Sequence, residues 1–298
     1  MDTINKERNE NENKGSNKTN TLEEFYAGSG ILVTGATGFL GKCLLEKLIR
    51  ICPSIAAIFI LLRPKTDETI EQRFKKLIDD PIYDNIKAKH PAVVSRVYPV
   101  KGDVSLPGLG LSREDRNLLL EKVNIVFHSA ATVRFDEPLH VAINVNTKGT
   151  ARVIELWNEL KNPISFVHVS TAYSNANLRE IEEKVYTTSL KPSEVIDMCD
   201  KFDETSISQI EKRILKTYPN TYTFSKNLAV ADCSKQVQRS ASCDSAAKRN
   251  WCLVGRTMSW LDRKYLCINR YFYKSFSMII VQCSSHFRNV ELICWFVG

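Results

Sequence analysis

The stretch VTGATGFLGKCLLEKL restricts the fold of this chain more than any other part of its sequence. Gly35, Gly38 and Gly41 are spaced G-x-x-G-x-x-G between an apolar run, which predicts a strand, and an amphipathic run, which predicts a helix. In that context the glycines permit a tight turn and the close approach of a pyrophosphate, and the helix N-terminus presents free N–H donors. We therefore expect a strand, a phosphate-binding turn and a helix. The other residues assigned to this turn are Thr37, Phe39 and Leu40.

Short apolar runs alternate with amphipathic stretches from about residue 28 onward. Each apolar run is nearly continuous, as in strands that are buried on both faces of a parallel sheet. The runs predict strands at 31–35, 57–62, 96–100, 124–128 and 164–169. The stretches predict helices at 39–50, 67–79, 112–122, 137–160, 205–217 and 221–236, with an irregular segment at 174–204. This alternation indicates an α/β fold, a doubly wound parallel sheet of the Rossmann type.

Composition divides the chain into three segments. Residues 1–27 are polar and low in complexity, which predicts disorder. Residues 28–231 carry the α/β pattern and form the predicted nucleotide-binding domain. In the tail, residues 232–298, the composition changes: all ten prolines of the chain lie at or before Pro219, whereas six of nine cysteines and three of four tryptophans lie after residue 232. Neither the strand period nor the helix period persists there, so we expect a poorly folded tail.

Charge and composition exclude several classes of protein. The formal net charge is +7 and no run of five basic residues occurs, so nucleic acid is not an expected partner. No stretch of about 18 apolar residues predicts a membrane-spanning helix. The nine cysteines form no C-x-x-C pair, which argues against a metal site. The N-terminus has no apolar region typical of a secretory signal, so the expected location is intracellular.

The second predicted strand ends in LLRPK, which places Arg63 about twenty residues after the last glycine of the turn. NAD-binding sites usually have an acidic residue there, on the ribose hydroxyls, whereas a basic residue suits a 2′-phosphate. Arg63, with help from Lys65, therefore predicts NADPH as the cofactor. The alternative is a solvated basic turn without a ligand.

Two further strand ends carry residues that suit a cofactor site. Asp103, followed by Val104, comes after the third strand, where its carboxylate can accept from an adenine amino group. Ser129, Ala130 and Ala131 come after the fourth strand, where small side chains let the backbone lie close to a cofactor. Small residues also occur where a strand simply packs, so each of these signals is weak alone.

Four residues further along predict proton-transfer chemistry. Ser170 and Thr171 end the fifth strand, while Tyr222 and Lys226 are four residues apart and share one face of a helix. A phenol has a reference pKa near 10, and a neighbouring ammonium lowers that pKa, which favours proton exchange near neutral pH. We expect Thr171 or Ser170 to hydrogen-bond a carbonyl oxygen, and Lys226 to hold a ribose. A Y-x-x-x-K pair alone is common on solvated helix faces. Its position in the sequence after the glycine turn and the strand-end Ser170 and Thr171 favours a catalytic role.

Seven segments together resemble the extended short-chain dehydrogenase/reductase superfamily, and more closely the alcohol-forming fatty acyl-CoA reductases. They are VTGATGFLGKCLLEKLIR, IFILLRPK, KGDVSLPGLGLS, FHSAATVRFDEPL, NVNTKGT, FVHVSTAYSNAN and PNTYTFSKNLA, and they cover about residues 25–230. LLRPK, HSAATVRFDEPL and HVSTAYSN are more specific than the glycines.

The resemblance implies a reaction in which two NADPH reduce a long-chain acyl-CoA, through an aldehyde, to a fatty alcohol and free CoA. Tyr222 would donate the proton, Lys226 would lower the pKa of Tyr222, and Thr171 would polarise the carbonyl oxygen. The cofactor would lie on the glycine turn, with Arg63 on its 2′-phosphate. Family members act at membranes of peroxisomes or of the endoplasmic reticulum.

After the YTFSK helix the chain departs from the family pattern. The family continues with a strand such as IVRPS, then W-x-E-P-x-P-G-W and N-x-Y-x-x-T-G, and none of these is present here as protein. With permitted codons, GRTMSW at 255–260 read one base later gives GEPCPG, so we expect the tail to be read out of frame. The expected consequences are an incomplete C-terminal substrate region, retained NADPH binding, and low or no turnover.

Two other functions stay open. Sugar-nucleotide epimerases and dehydratases share the predicted fold, although LLRPK and HSAATVRFDEPL argue against them. The chain is alternatively a non-catalytic NADP-binding fragment, which would bind the cofactor without oxidising it in the presence of acyl-CoA.

Overall fold

The computed structural model describes residues 22–89, 91–181, 186–241, 276–284 and 291–297. The strands within these ranges are β1 (Gly30–Thr34), β2 (Ala57–Leu62), β3 (Val97–Lys101), β4 (Ile125–His128), β5 (Ser165–Val169), β6 (Phe276–Ser284) and β7 (Glu291–Val297). The helices are α1 (Leu22–Tyr26), α2 (Phe39–Ile51), α3 (Ile70–Ile78), α4 (Asp84–Lys89), α5 (Pro91–Val94), α6 (Arg113–Lys122), α7 (Leu139–Ala142), α8 (Lys148–Glu159), α9 (Pro192–Lys201), α10 (Glu204–Leu215) and α11 (Thr221–Ala241). A π-helical turn at Ile143–Thr147 joins α7 to α8, and short 3-10 turns lie at Pro81–Tyr83, Pro107–Gly110 and Ala172–Asn175.

Strands β1 to β5 form a parallel sheet in the order β3-β2-β1-β4-β5. Each begins and ends within one residue of its predicted position, which confirms the doubly wound α/β fold. Because the five strands run in one direction, their carboxyl ends lie at one edge of the sheet. The strand order reverses between β1 and β4, and ligands of open α/β sheets bind in the crevice at such a point.

Helices cover both faces of this sheet. Successive residues of a strand point to opposite faces, and Ile31 and Val33 pack into a core with α2 and α3. Leu32 packs on the other face, into a core with α6, α8 and α11. Burial on both faces explains why the strands are continuous apolar runs in the sequence. The two layers hold the strand ends in place, and the candidate site depends on those ends.

The structure corrects the prediction of an irregular segment at 174–204, because α9 lies within it. Pro192 occupies the first turn, where its fixed φ suits a helix and its missing N–H is not needed. Val195 on α9 then packs with Ile207 and Leu228 in a third core. The apolar residues of PSEVIDMCDK are spaced for this contact, but their polar neighbours obscure the pattern.

The N-terminal segment is also more ordered near its end than the sequence predicted. Helix α1 lies before residue 27, and its Tyr26 is buried, with a ring centroid 6.5 Å from that of Phe127. The polar composition predicted disorder. An average over the segment does not show that one aromatic ring, that of Tyr26, packs into the core. Residues 1–21 lie outside the described part of the chain.

The described part of the tail comprises the end of α11 and the strands β6 and β7. Strand β6 pairs antiparallel with β5, and β7 pairs antiparallel with β6, so both extend the sheet beyond β5. The stretch GRTMSW at 255–260 lies outside the described residues. The out-of-frame tail stays a prediction, because the coding DNA is what tests it.

Candidate active site

The carboxyl edge of the parallel sheet brings together the residues that the sequence analysis assigned to a cofactor and to a reaction. The strand ends place Gly35 after β1, Arg63 after β2, Asp103 after β3, Ser129 after β4, and Ser170 and Thr171 after β5. Helix α11, which carries the Tyr-x-x-x-Lys pair, packs against the turn that follows β5. The predicted residues therefore share one edge of the molecule.

Two glycines of the turn between β1 and α2 are required by the packing of the protein itself. Gly35 has a φ of +73°, in the left-handed region, and a Cβ there would lie 2.7 Å from the backbone nitrogen of Ala130. A Cβ at Gly41 would lie 2.2 Å from the carbonyl oxygen of Gly35. Neither position accepts a side chain without a shift of the backbone.

Gly38 is different, because nothing among the described residues demands a glycine there. Its φ of −76° is open to every residue, and a Cβ would meet only the Gly35 carbonyl oxygen, at 3.4 Å. Gly38 is the N-cap of α2 and supplies no side-chain cap to the first turn. An exposed glycine above a helix N-terminus fits an anion that approaches the backbone closely, as a pyrophosphate does. Thr37 and Phe39 beside it are exposed, and Leu40 is half-buried.

Arg63 and Asp103 lie next to each other at the ends of β2 and β3. The Arg63 side chain is 63% exposed, and its Nε lies 3.9 Å from Asp103 Oδ2. The other carboxylate oxygen of Asp103 accepts from the N–H and the hydroxyl of Ser105, at 2.8 and 2.7 Å. Lys65 pairs instead with Glu68, at 3.7 Å, so it does not join Arg63 in this structure.

The loop after β4 is fastened to the end of β1. The Ser129 hydroxyl donates to the carbonyl oxygen of Thr34 at 2.7 Å, and the Ala130 N–H donates to the Thr34 hydroxyl at 3.2 Å. These contacts bring Ser129, Ala130 and the half-buried Ala131 against the glycine turn. Their small side chains let the two loops meet at the switch point of the sheet, and the close approach of a cofactor there stays a prediction.

The phenol of Tyr222 is hydrogen-bonded to the hydroxyl of Thr171. The Tyr173 N–H donates to the Thr171 oxygen at 3.2 Å, and the Thr171 hydroxyl keeps one proton to donate. Burial raises the pKa of Tyr222, and the Thr171 hydrogen bond opposes this shift only in part. The predicted lowering of this pKa by Lys226 is therefore wrong for this structure, because burial dominates. The phenol is protonated at neutral pH.

Lys226 is directed at the end of β5. Its Nζ donates to the carbonyl oxygen of Val169 at 2.7 Å and lies 3.1 Å from Nε2 of His168. The side chain is buried, and this burial lowers the pKa of Lys226 to about 7. The contact joins α11 to the strand whose end carries Ser170 and Thr171.

The hydroxyl of Ser170 is buried and has no hydrogen-bond partner in the part of the chain that the structure describes. An unpaired buried hydroxyl costs about 1–3 kcal/mol, and a native structure that keeps one calls for an explanation such as a catalytic role or a bound group. Ser170 lies between the Val169 carbonyl that binds Lys226 and the Thr171 hydroxyl that binds Tyr222. This hydroxyl and the space above Gly38 both fit a bound cofactor at the edge.

Asn146 joins three parts of the site, although no sequence pattern singled it out. Its Oδ1 accepts from the Thr132 N–H at 2.9 Å, and its Nδ2 donates to the Ser225 hydroxyl at 2.9 Å. Asn146 lies in the π-helical turn Ile143–Thr147, and such turns are frequent at functional sites. The motif NVNTKGT carries the signal, but apolar periodicity does not separate a π-turn from an α-helix.

Phe135 was also missed. Its ring centroid lies 5.7 Å from that of Tyr222, and its side chain is 62% exposed, as is that of Val133 at 67%. The loop after β4 thus presents apolar surface directly beside the phenol. Such a surface can contact an aliphatic substrate.

Comparison with known proteins shows the family to which this chain belongs. A family model for an NAD-binding domain, described as male sterility protein, matches residues 33–241, which include every site residue named above. The chain belongs to the male sterility protein family. Membership of the male sterility protein family confirms that the cofactor is a nicotinamide dinucleotide.

Curated relatives confirm the resemblance read from the sequence. The chain is 40% identical over 208 residues to the fatty acyl-CoA reductase wat of Drosophila melanogaster and 38% identical over 208 residues to fatty acyl-CoA reductase 2 of Homo sapiens. Each match covers 70% of this chain and 40% of the relative, so the chain spans about two fifths of their length. The terminal R domain from the myxalamid PKS-NRPS biosynthetic pathway matches with a TM-score of 0.52 and 26% identity, over 72% of this chain and 47% of that chain.

Neither a membrane span nor a metal centre is found in the described ranges. No helix there is long and apolar enough to cross a bilayer. No group of three or more histidine, cysteine, aspartate or glutamate residues there is placed to hold a metal ion.

Proposed function

We propose that this protein reduces a long-chain fatty acyl-CoA to a fatty alcohol, through an aldehyde, with NADPH as the reductant. The observation that carries the proposal is the meeting of Thr171, Tyr222 and Lys226 at the end of β5, on the same sheet edge as the glycine turn. Similarity to fatty acyl-CoA reductases supports the substrate class.

The residues that would bind the cofactor lie at the carboxyl edge of the sheet. When bound, NADPH supplies a hydride to the carbonyl carbon, once for the thioester and once for the aldehyde. The first turn of α2 with Gly38 would hold the pyrophosphate. Arg63, exposed beside Asp103, would hold the 2′-phosphate, which favours NADPH over NADH.

The reacting residues supply and position the proton. Tyr222 is protonated at neutral pH because burial raises its pKa. The phenol can protonate the reduced carbonyl oxygen, since an alkoxide is a stronger base than a phenolate. Without substrate, Thr171 is hydrogen-bonded to the phenol; with substrate bound, its single hydroxyl proton would be donated to the same carbonyl oxygen instead. Lys226, when charged, has three N–H donors, of which Val169 and His168 take two, and the third is left for a ribose hydroxyl.

The proposal includes the organisation and location of the chain. Residues 28–231 form the reductase domain, and the tail 232–298, whose composition differs, lowers turnover. The place of action is the membrane of peroxisomes or of the endoplasmic reticulum, as the family resemblance implies. Imaging of the tagged chain with markers for both organelles tests the location, and a secreted chain would contradict it.

A thermal-shift screen followed by a labelling assay tests the function. We expect NADPH and palmitoyl-CoA each to raise Tm, because a ligand that binds only the folded state stabilises it, whereas a UDP-sugar should not. Deuterium from [4-²H]NADPH should then appear slowly in aldehyde and alcohol. Stabilisation by UDP-sugar alone would favour an epimerase, and cofactor binding without any labelled product after long incubation would favour a non-catalytic fragment.

A further inference from the structure

Two histidines lie side by side on β4 and β5, near the carboxyl ends of these strands. His128 on β4 is aligned with His168 on β5, both are buried, and their ring centroids are 5.3 Å apart. Burial lowers the pKa of His128 to about 3 and holds the pKa of His168 well below its ordinary value. Both imidazoles are therefore neutral at physiological pH. The proposed reaction gives neither of them a role.

The hydrogen bonds around His128 determine its tautomer. Thr150 donates its hydroxyl proton to the carbonyl oxygen of Asn146 at 2.7 Å. The Thr150 oxygen must therefore accept from His128 Nε2, which is 3.1 Å away. Nδ1 of His128 is then an acceptor, and the Thr34 hydroxyl at 2.7 Å donates to it. His128 carries its proton on Nε2.

His168 has the opposite surroundings. Its Nε2 lies 3.1 Å from Lys226 Nζ, while its buried Nδ1 has no hydrogen-bond partner among the described residues. The titratable groups that act on Lys226 are Cys233 on the same helix and, from the sheet, His168 and His128. Lys226 Nζ thus faces two uncharged groups, the Val169 carbonyl, to which it donates, and the His168 ring.

We propose that His168 is a positioning residue whose Nε2 accepts a hydrogen bond from the Lys226 ammonium and, with the Val169 carbonyl, directs the remaining N–H toward the cofactor. A neutral acceptor holds the ammonium without neutralising it, so the charge stays available to a ligand. The inference rests on the proposed function only for what the remaining N–H binds. The contact itself exists without substrate or cofactor.

This role requires a specific tautomer of His168. An ammonium has no lone pair, so Nε2 must be the unprotonated nitrogen and Nδ1 must carry the proton. That proton is the one left without a partner, which carries a desolvation cost. The ring orientation thus provides an acceptor for Lys226 and leaves the Nδ1 proton without a hydrogen bond. A histidine that only filled space in the core would not require this orientation.

Nitrogen-15 NMR of the full chain tests the tautomer directly. The chain has five histidines, and single His→Gln variants assign their signals. Below pH 7 we expect a protonated Nδ1 and a bare Nε2 for His168, and the reverse for His128. A proton on Nε2 of His168 under these conditions overturns the proposal, because that nitrogen could not accept from an ammonium.

A matched pair of variants tests the effect on Lys226. In His168→Gln the amide oxygen can replace Nε2, whereas in His168→Asn it lies nearer the position of Nδ1. Carbon-13 NMR of lysine, assigned by loss of the signal in Lys226→Arg, follows the titration in cofactor-free protein. We expect His168→Gln to keep the pKa of Lys226 at about 7, and His168→Asn to lower it by about one or more, because the ammonium loses an acceptor.

Equal pKa values for Lys226 in the two variants overturn the proposal. If His168→Asn does not fold, the tautomer measured in the unaltered chain decides the question. Neither experiment uses an acyl-CoA, so failure of the proposed reductase activity would be recognised separately.

Discussion

The side-chain nitrogen of Lys226 lies 2.7 Å from the carbonyl oxygen of Val169, the last residue of β5. This contact joins α11 to the strand end that carries Ser170 and Thr171, and Tyr222 lies one turn earlier on the same helix. The proton donor, its hydroxyl partner and the buried lysine are therefore held together at one strand end.

Stability should depend on pH through Lys226. Burial lowers the pKa of Lys226 from 10.5 to about 7, so between these values the unfolded chain binds more protons than the folded chain. The free energy of unfolding contributed by this residue therefore rises with pH across that window. Tm measured from pH 7 to 9 should rise relative to that of Lys226→Met. The exposed Lys161→Met is the control, and its Tm difference from the unaltered chain should not change with pH. A constant difference for Lys226→Met would contradict the prediction.

Alanine at two glycines of the turn should separate folding from cofactor binding. Gly41→Ala places a Cβ 2.2 Å from the Gly35 carbonyl oxygen and should lower Tm by several degrees. Gly38→Ala meets only one atom, at 3.4 Å, and should keep Tm nearly unchanged while it weakens NADPH binding. Calorimetry and fluorescence titration measure the two effects. Undiminished NADPH affinity in Gly38→Ala would show that the pyrophosphate lies elsewhere.

Arg63 should determine the preference for NADPH over NADH. Its exposed pair with Asp103 contributes little to stability, so Arg63→Ala should fold normally. Loss of a hydrogen bond to a charged phosphate should raise the Kd of NADPH by about 10- to 100-fold and leave the Kd of NADH unchanged. Arg116→Ala, which removes an ion pair with Glu159, is the control and should change neither value. An equal rise in Kd for both cofactors would mean that Arg63 does not bind the 2′-phosphate.

The coding DNA should explain the tail. We expect the shifted reading frame near codon 255 to encode W-x-E-P-x-P-G-W, followed by N-x-Y-x-x-T-G. Sequencing the transcript across codons 228–272 checks this. A shifted frame without these segments would mean that the cysteine- and tryptophan-rich tail belongs to the protein as translated.

The fold and the placement of the site residues at the carboxyl edge of the sheet were predictable, because both depend on local sequence patterns. Five apolar runs and one glycine turn determine a parallel sheet, and a parallel sheet forces its carboxyl ends together. Arg63, Asp103, Ser129 and Thr171 follow strands directly, so their placement at one edge required no knowledge of tertiary packing.

The chemistry around the Tyr-x-x-x-Lys pair was not predictable in the same way. Spacing shows that Tyr222 and Lys226 share a helix face, but it does not show how deeply each side chain is buried. Burial reverses the predicted direction of the Tyr222 pKa shift. One partner of Lys226 is His168, which in VHVSTAY has the pattern of an ordinary residue of a buried strand. Such contacts depend on how α11 packs against β5, and no local sequence pattern predicts that packing.

Transfer of label from [4-²H]NADPH to palmitoyl-CoA, with the unaltered chain and Tyr222→Phe compared, tests the central claim most directly. Tyr222→Phe removes the proton donor and should lower the rate by about 10²- to 10⁴-fold. NADPH affinity should not change. Tyr98→Phe makes the same chemical change on β3 at a residue that is 46% exposed, and it should react like the unaltered chain. Labelled aldehyde or alcohol formed by Tyr222→Phe at the unaltered rate would contradict the account.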